Sequence, residues 1–131
     1  RLAKDLINHL KKGDIVFLYG EMGVGKTTFV RYLINQFQEK NNSKITEVTS
    51  PTFNLLNEYQ ISDLVIKHYD LFRLKNKSET KNLDIFENFK KLITIIEWPE
   101  LIDKKSIKTI DLNFIYENDH NNRSVIINGL N

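Results

Sequence analysis

Two hydrophobic periods alternate along this chain. Leu2, Leu6, Ile7 and Leu10 recur at helical spacing, and Gly13 follows as a candidate C-cap, so the opening segment predicts a helix. Ile15-Val16-Phe17-Leu18-Tyr19 is an unbroken apolar run of strand length, the pattern of a strand covered on both faces, and it runs directly into Gly20. Beyond the glycines, Phe29, Val30, Leu33, Ile34 and Phe37 form one apolar stripe, which predicts a helix ending near Glu39 before a polar turn from Asn41 to Lys44. From Phe53 to Ile61, the apolar positions Phe53, Leu55, Tyr59 and Ile61 are set among mostly polar neighbours, as in a half-exposed strand. Ser62-Asp63 turns the chain and Leu64 to Leu71 returns, giving a hairpin. Leu83, Phe86 and Phe89 predict a short helix opened by Ser78. Leu92 to Ile96 reads as another buried strand, ending in Glu97-Trp98-Pro99. Ile107 to Tyr116 and Ser124 to Ile127 read as strands joined by a loop over 117–123.

Composition narrows the picture. At 131 residues the chain has the length of one domain, 1–131, with room for a sheet and covering helices. Its 40% hydrophobic and 27% charged content is that of a soluble globular protein, and no apolar run approaches the ~20 residues that cross a bilayer. Cysteine is absent, which excludes disulfides and thiolate metal sites and fits a reducing cytoplasm. The net charge of +2 comes with lysines spread in short pairs such as Lys11-Lys12, Lys90-Lys91 and Lys104-Lys105, a solvated surface rather than a nucleic-acid face. Neither a membrane nor DNA is expected as a partner. Because the chain opens on Arg1 rather than Met, a preceding segment is expected.

The chemistry begins at Gly20-Glu21-Met22-Gly23-Val24-Gly25-Lys26-Thr27, a full match to G-x-x-x-x-G-K-[ST]. Three of the chain's 5 glycines fall in this one window, after a strand and before a helix, the context the motif requires. Glycines let successive backbone N–H groups turn inward around phosphates, and the following helix presents its positive end to the same anion. Lys26 supplies a compact charge for the β- and γ-phosphates, and the Thr27 hydroxyl is placed to ligate Mg²⁺. The blander alternative, a glycine-rich surface turn, leaves the strand and helix on either side unexplained.

Such a site needs acids near the metal and the attacking water. In an open α/β sheet they lie beyond the carboxyl ends of strands. Glu97 closes the run Leu92-Ile93-Thr94-Ile95-Ile96, and Asp70 closes Val65-Ile66-Lys67-His68-Tyr69. Pro51 fixes its own φ and restrains Ser50, which would hold the Thr52 hydroxyl towards the γ-phosphate. His9, His68 and His120 are too dispersed for a metal site, and His68 reads as packed beside the site. Trp98, directly after Glu97, is placed to contact a ligand or partner. Asn76-Lys77-Ser78-Glu79 echoes the N-K-x-D guanine reader but carries Glu for Asp, and reads as a turn before a helix.

In order, Gly20 to Thr28, Thr49-Ser50-Pro51-Thr52-Phe53, His68-Tyr69-Asp70-Leu71-Phe72-Arg73-Leu74 and Ile96-Glu97-Trp98-Pro99 resemble the TsaE family, also called YjeE, over nearly the whole chain. The resemblance implies an α/β, three-layer P-loop NTPase-like fold: a mixed sheet flanked by helices, the P-loop strand central and antiparallel strands added. It implies ATP hydrolysis with Mg²⁺, weak alone and stimulated by the TsaB–TsaD complex. That complex makes threonylcarbamoyladenosine at position 37 of tRNAs reading ANN codons, so tRNA is met only through it. It implies that Glu21, Met22, Gly23, Val24, Gly25, Lys26, Thr27 and Thr28 cradle the nucleotide, that Thr27 and Glu97 ligate Mg²⁺, and that Asp70 acts at the hydrolytic water or beside the metal. Thr52 would sit on a nucleotide-sensitive loop, and Arg123 falls where the family often has an arginine near the nucleotide. Asp84 and Asn122 stand where the family commonly has glycine, and its short N-terminal strand is missing or truncated. Two rival functions are a small P-loop kinase of a nucleoside or metabolite and a non-hydrolysing ATP-dependent module. The first usually needs a lid with several arginines, whereas this chain has only Arg1, Arg31, Arg73 and Arg123. The second would not need both Asp70 and Glu97.

Overall fold

The computed structural model describes residues 2–51, 55–104, 107–116 and 123–130. Its elements in chain order are α1 (Leu2–Leu6), β1 (Ile15–Tyr19), α2 (Lys26–Lys40), β2 (Leu56–Ile61), β3 (Leu64–Asp70), α3 (Lys77–Lys81), β4 (Ile93–Glu97), β5 (Ile110–Tyr116) and β6 (Arg123–Asn128), with 3₁₀ turns at Phe89–Lys91 and Pro99–Leu101. The six strands form one sheet in the order β2-β3-β4-β1-β5-β6. β3, β4, β1 and β5 run parallel, while β2 and β6 pair antiparallel at the two margins, so the sheet is mixed and the P-loop strand lies inside it.

The unbroken apolar run of β1 is explained by its two covered faces. Val16 and Leu18 pack towards α1 and α2 with Leu6, Leu10, Val30, Leu33, Ile34 and Phe37. Ile15 and Phe17 point the other way, into a second cluster with Tyr69, Leu71, Ile85 and Ile96. A helix layer covers the first face. The second is covered by the turns over 82–88, the 3₁₀ segments and Ile107, a thinner layer than helices would make.

Some expected elements differ in extent. The first helix stops at Leu6, although Ile7 and Leu10 are buried as its periodicity requires, through a turn in which His9 and Leu10 donate to the Leu6 carbonyl. The helix expected around Leu83, Phe86 and Phe89 is replaced by α3, upstream, followed by consecutive turns. Asn76, not Ser78, opens α3: its side chain accepts from the Glu79 N–H, and Glu79 Oε1 accepts from the Asn76 N–H at 3.1 Å. The N-K-x-D-like tetrapeptide is therefore a capping box. Asp84, at φ +49°, and Asn88, at φ +58°, break the helical path in the left-handed region. That geometry suits glycine best and accounts for Asp84 standing at a position where glycine is expected. The hairpin forms as expected, with Ile61 opposite Leu64. Phe53 and the loop over 117–122 lie outside the described residues. Among the described residues, no helix is long and apolar enough to cross a membrane.

Candidate functional site

The parallel strands all deliver their carboxyl ends to one edge, and the glycine loop caps β1 there. Gly20 adopts φ +148°, and a Cβ added to it would stand 2.9 Å from Val24 Cγ1 and 3.0 Å from both Phe114 Cβ and Phe114 O. The strand-to-loop corner thus admits only glycine. Gly25 (φ +110°) caps α2 with no side-chain hydrogen bond. The first N–H groups of a 15-residue helix are therefore left to whatever lies at its N-terminus.

Lys26 is only 4% exposed. Its Nζ donates to the Gly20 carbonyl and lies 3.5 Å from the centroid of the Trp98 ring. Burial holds its pKa below the ordinary 10.5, against Glu97, Glu100 and Asp70, which favour the charged form. Trp98 takes a left-handed conformation (φ +58°) at the end of β4, which turns the indole over the ammonium, and Phe72 packs on it with ring centroids 4.9 Å apart.

Both acids are where strand ends should put them. Asp70 and Glu97 are register partners on neighbouring parallel strands, and the Leu71 N–H donates to the Glu97 carbonyl at 3.0 Å, carrying the pairing one step further. Thr27 Oγ1 donates to the Glu97 carboxylate, 3.0 Å from Oε1 and 3.1 Å from Oε2, and His68 Nε2 stands 2.6 Å from Oε2. Asp70 accepts from Ser50 Oγ at 3.1 Å and from the Phe72 N–H at 3.0 Å. A cleft of about 300 Å³ is lined by Lys26, Thr27, Ser50, Asp70 and Glu97 together with Met22, Gly23, Gly25, Thr28, Phe72 and Trp98, while His68 lies buried behind it. A larger cavity of about 560 Å³, between α3 and the turn at Leu101, holds none of them.

The residues present fit a Mg²⁺-bound polyphosphate. Uncapped amides and an ammonium face one end of the cleft, and a hydroxyl and a carboxylate converge beside them. Mg²⁺ takes hard oxygen ligands, usually one or two carboxylates completed by phosphates and water. It does not need the cluster of three or more ligating side chains that is absent among the described residues.

The other expected site residues divide. Glu21 and Thr28 are exposed beside the loop, and Met22 is 61% exposed. Val24 offers a ligand only its backbone, since its side chain is in the core. Arg123 opens β6 with its Cδ 3.8 Å from where a Cβ on Gly25 would stand, so it does reach the loop. Thr52 lies outside the described residues. Ser50 was legible only as part of its loop, Phe72 only as part of a motif, and neither was singled out. Nothing in one-dimensional spacing marks a hydroxyl that will bond an acid twenty positions on.

Burial holds the Asp70 carboxyl above its ordinary 3.8, helped by the neighbouring Glu97 and opposed by the Phe72 amide, Ser50 and His68. A folded-state pKa above the unfolded one means that the native state keeps its proton longer as pH rises. Stability therefore falls through that window, and the ionised group is a cost at neutral pH. Asp70→Asn is expected to raise the melting temperature by a few degrees at pH 7, with the gain vanishing below the ordinary carboxylate range. Calorimetry at pH 7 and at acid pH checks it. A lower melting temperature at pH 7 contradicts it.

The model of the family described as threonylcarbamoyl adenosine biosynthesis protein TsaE matches residues 1–125. A protein of Rickettsia felis called tRNA threonylcarbamoyladenosine biosynthesis protein TsaE is 45% identical over 78% of this chain and 57% of its own length. Proteins of the same name from Aquifex aeolicus and Bacillus subtilis are each 34% identical, over 90% and 79% of this chain and 81% and 62% of their own lengths. The chain thus spans little more than half the length of the Rickettsia relative. The crystal structure of Bacillus subtilis YdiB superposes with a TM-score of 0.73 at 23% identity, covering 99% of this chain and 77% of that one, a likeness of fold.

Proposed function

The chain belongs to the TsaE family, and on that premise we propose that it binds ATP with Mg²⁺ and hydrolyses it in support of threonylcarbamoyladenosine formation on tRNA. Residues 1–131 act as one P-loop domain. The partners are TsaB and TsaD, and tRNA is reached through them. The observation that carries this reading is the meeting of Thr27 Oγ1 with the Glu97 carboxylate at 3.0 Å, beside the Lys26 ammonium at the mouth of β1.

Each group has a distinct task. The amides of Gly23 to Thr28 and the Lys26 ammonium bind the phosphates and offset their charge. Thr27 and Glu97 supply protein oxygens to Mg²⁺, which would polarise the γ-phosphoryl group and draw off developing charge. Asp70 orients the attacking water and takes its proton, a task suited to a carboxylate whose basicity burial has raised. Arg123 stands near enough to the loop to steady the nucleotide.

Calorimetric titration with Mg·ATP and phosphate release test the proposal, first on the protein alone, then with TsaB and TsaD. Binding with slow turnover, accelerated by the two partners and by no phosphoryl acceptor, is the expected result. No heat of binding would remove the reading. Acceptor-dependent ADP release without the partners would replace it with a kinase.

A further inference from the structure

The imidazole of His68 has no part in the reading above, yet it makes the shortest polar contact to either acid among the described residues. Its Nε2 lies 2.6 Å from Glu97 Oε2, and the two side chains are 0% and 2% exposed. With Glu97 as the acceptor, Nε2 carries the hydrogen and the bond is charge-assisted. The other ring nitrogen, Nδ1, is buried with no hydrogen-bond partner. A polar ring atom left unpaired in a core costs stability, so a position that only filled space would favour a hydrocarbon. The Nε2 contact is what sets the imidazole apart from one.

Its direction matters as much as its length. His68 sits opposite Ile95 and Asp70 opposite Glu97, so His68 reaches Glu97 along the diagonal between β3 and β4. Oε2 is thereby held by a residue of the neighbouring strand, and the Thr27 hydroxyl stands 3.0 Å from Oε1 and 3.1 Å from Oε2. A small cation with strict octahedral preferences needs its oxygen ligand fixed in one orientation, and groups that fix ligands from behind are worth about 10–100-fold in metal affinity or activity. We infer that His68 is a positioning residue that holds Oε2 of Glu97 so that Oε1 and Thr27 Oγ1 face the metal position together. The inference rests on the Mg·ATP reading of the cleft.

His68→Phe keeps a ring of similar volume without the donor, with His68→Leu in its place if the phenyl ring does not pack. His68→Gln restores an amide donor at similar reach. Binding of a non-hydrolysable ATP analogue is titrated calorimetrically across Mg²⁺ concentrations and again with the metal chelated. In H68F the Mg²⁺ concentration for half-maximal effect should rise about 10–100-fold with metal-free affinity unchanged, and H68Q should return to within a few-fold of wild type. Wild-type Mg²⁺ dependence in H68F, or a value for H68Q as poor as for H68F, overturns the inference and leaves the nucleotide reading standing. A wild-type chain with no Mg²⁺-linked binding overturns both.

Discussion

Lys26→Ala is expected to weaken ATP binding roughly 10–100-fold, while the protein still folds and melts near the wild-type temperature. The loss of affinity follows from removing the ammonium at the phosphate end of the cleft. A charge-assisted contact is worth roughly 1.5–3 kcal/mol, and every 1.4 kcal/mol is about tenfold in affinity. The survival of the fold follows from what this lysine does without a nucleotide. Among the described residues it has no ion-pair partner, and its charge leans on the Gly20 carbonyl and the Trp98 ring. Because burial lowers its folded pKa below the unfolded value, the native state holds fewer protons between the two. Stability therefore rises with pH through that window, and below it the buried ammonium is a net cost. Alanine removes that cost but also the packed stem. Lys26→Met, which keeps the stem, should melt higher than wild type. Calorimetric titration and thermal melts on the three proteins decide the matter: ATP affinity equal to wild type in the alanine variant would refute the site.

Glu97→Gln should separate binding from chemistry. Glutamine preserves the volume at a position only 2% exposed, and its amide can still meet both Thr27 and His68. What disappears is the negative charge that, on the proposed reading, would be offered to Mg²⁺. ATP affinity should hold within a few-fold, while turnover falls roughly 100–1,000-fold, about 3–4 kcal/mol of barrier. Single-turnover phosphate release, with and without the partner proteins, measures it. Turnover equal to wild type would transfer the metal-linked role to Asp70, its register partner.

The parts of this molecule that could be read from the chain are those with local causes. Ile15 to Tyr19 is apolar at every position because β1 is covered on both faces, and Gly20 is glycine because Val24 and Phe114 leave no room for a Cβ. Asp70 and Glu97 were recognisable because each closes a strand-length segment, Glu97 after an apolar run and Asp70 after Val65-Ile66-Lys67-His68-Tyr69. Their adjacency was not, since it depends on the parallel register of β3 with β4. The misplaced helix at Leu83, Phe86 and Phe89 has a physical reason as well. A three-residue spacing suits successive tight turns as well as an α-helix, and the left-handed Asp84 and Asn88 select the turns. His68 was placed beside the site, but a hydrogen bond between residues 29 positions apart leaves no periodic trace.

One consequence of the geometry at the end of β4 is optical. The chain has 1 tryptophan, and the left-handed backbone at Trp98 swings that indole to 3.5 Å from the Lys26 ammonium. Its ultraviolet emission therefore arises at a single point, in the electric field of the cation that a polyphosphate would draw away. The molecule carries its own fluorophore at the spot where charge is redistributed, with no second indole in the chain to dilute the signal.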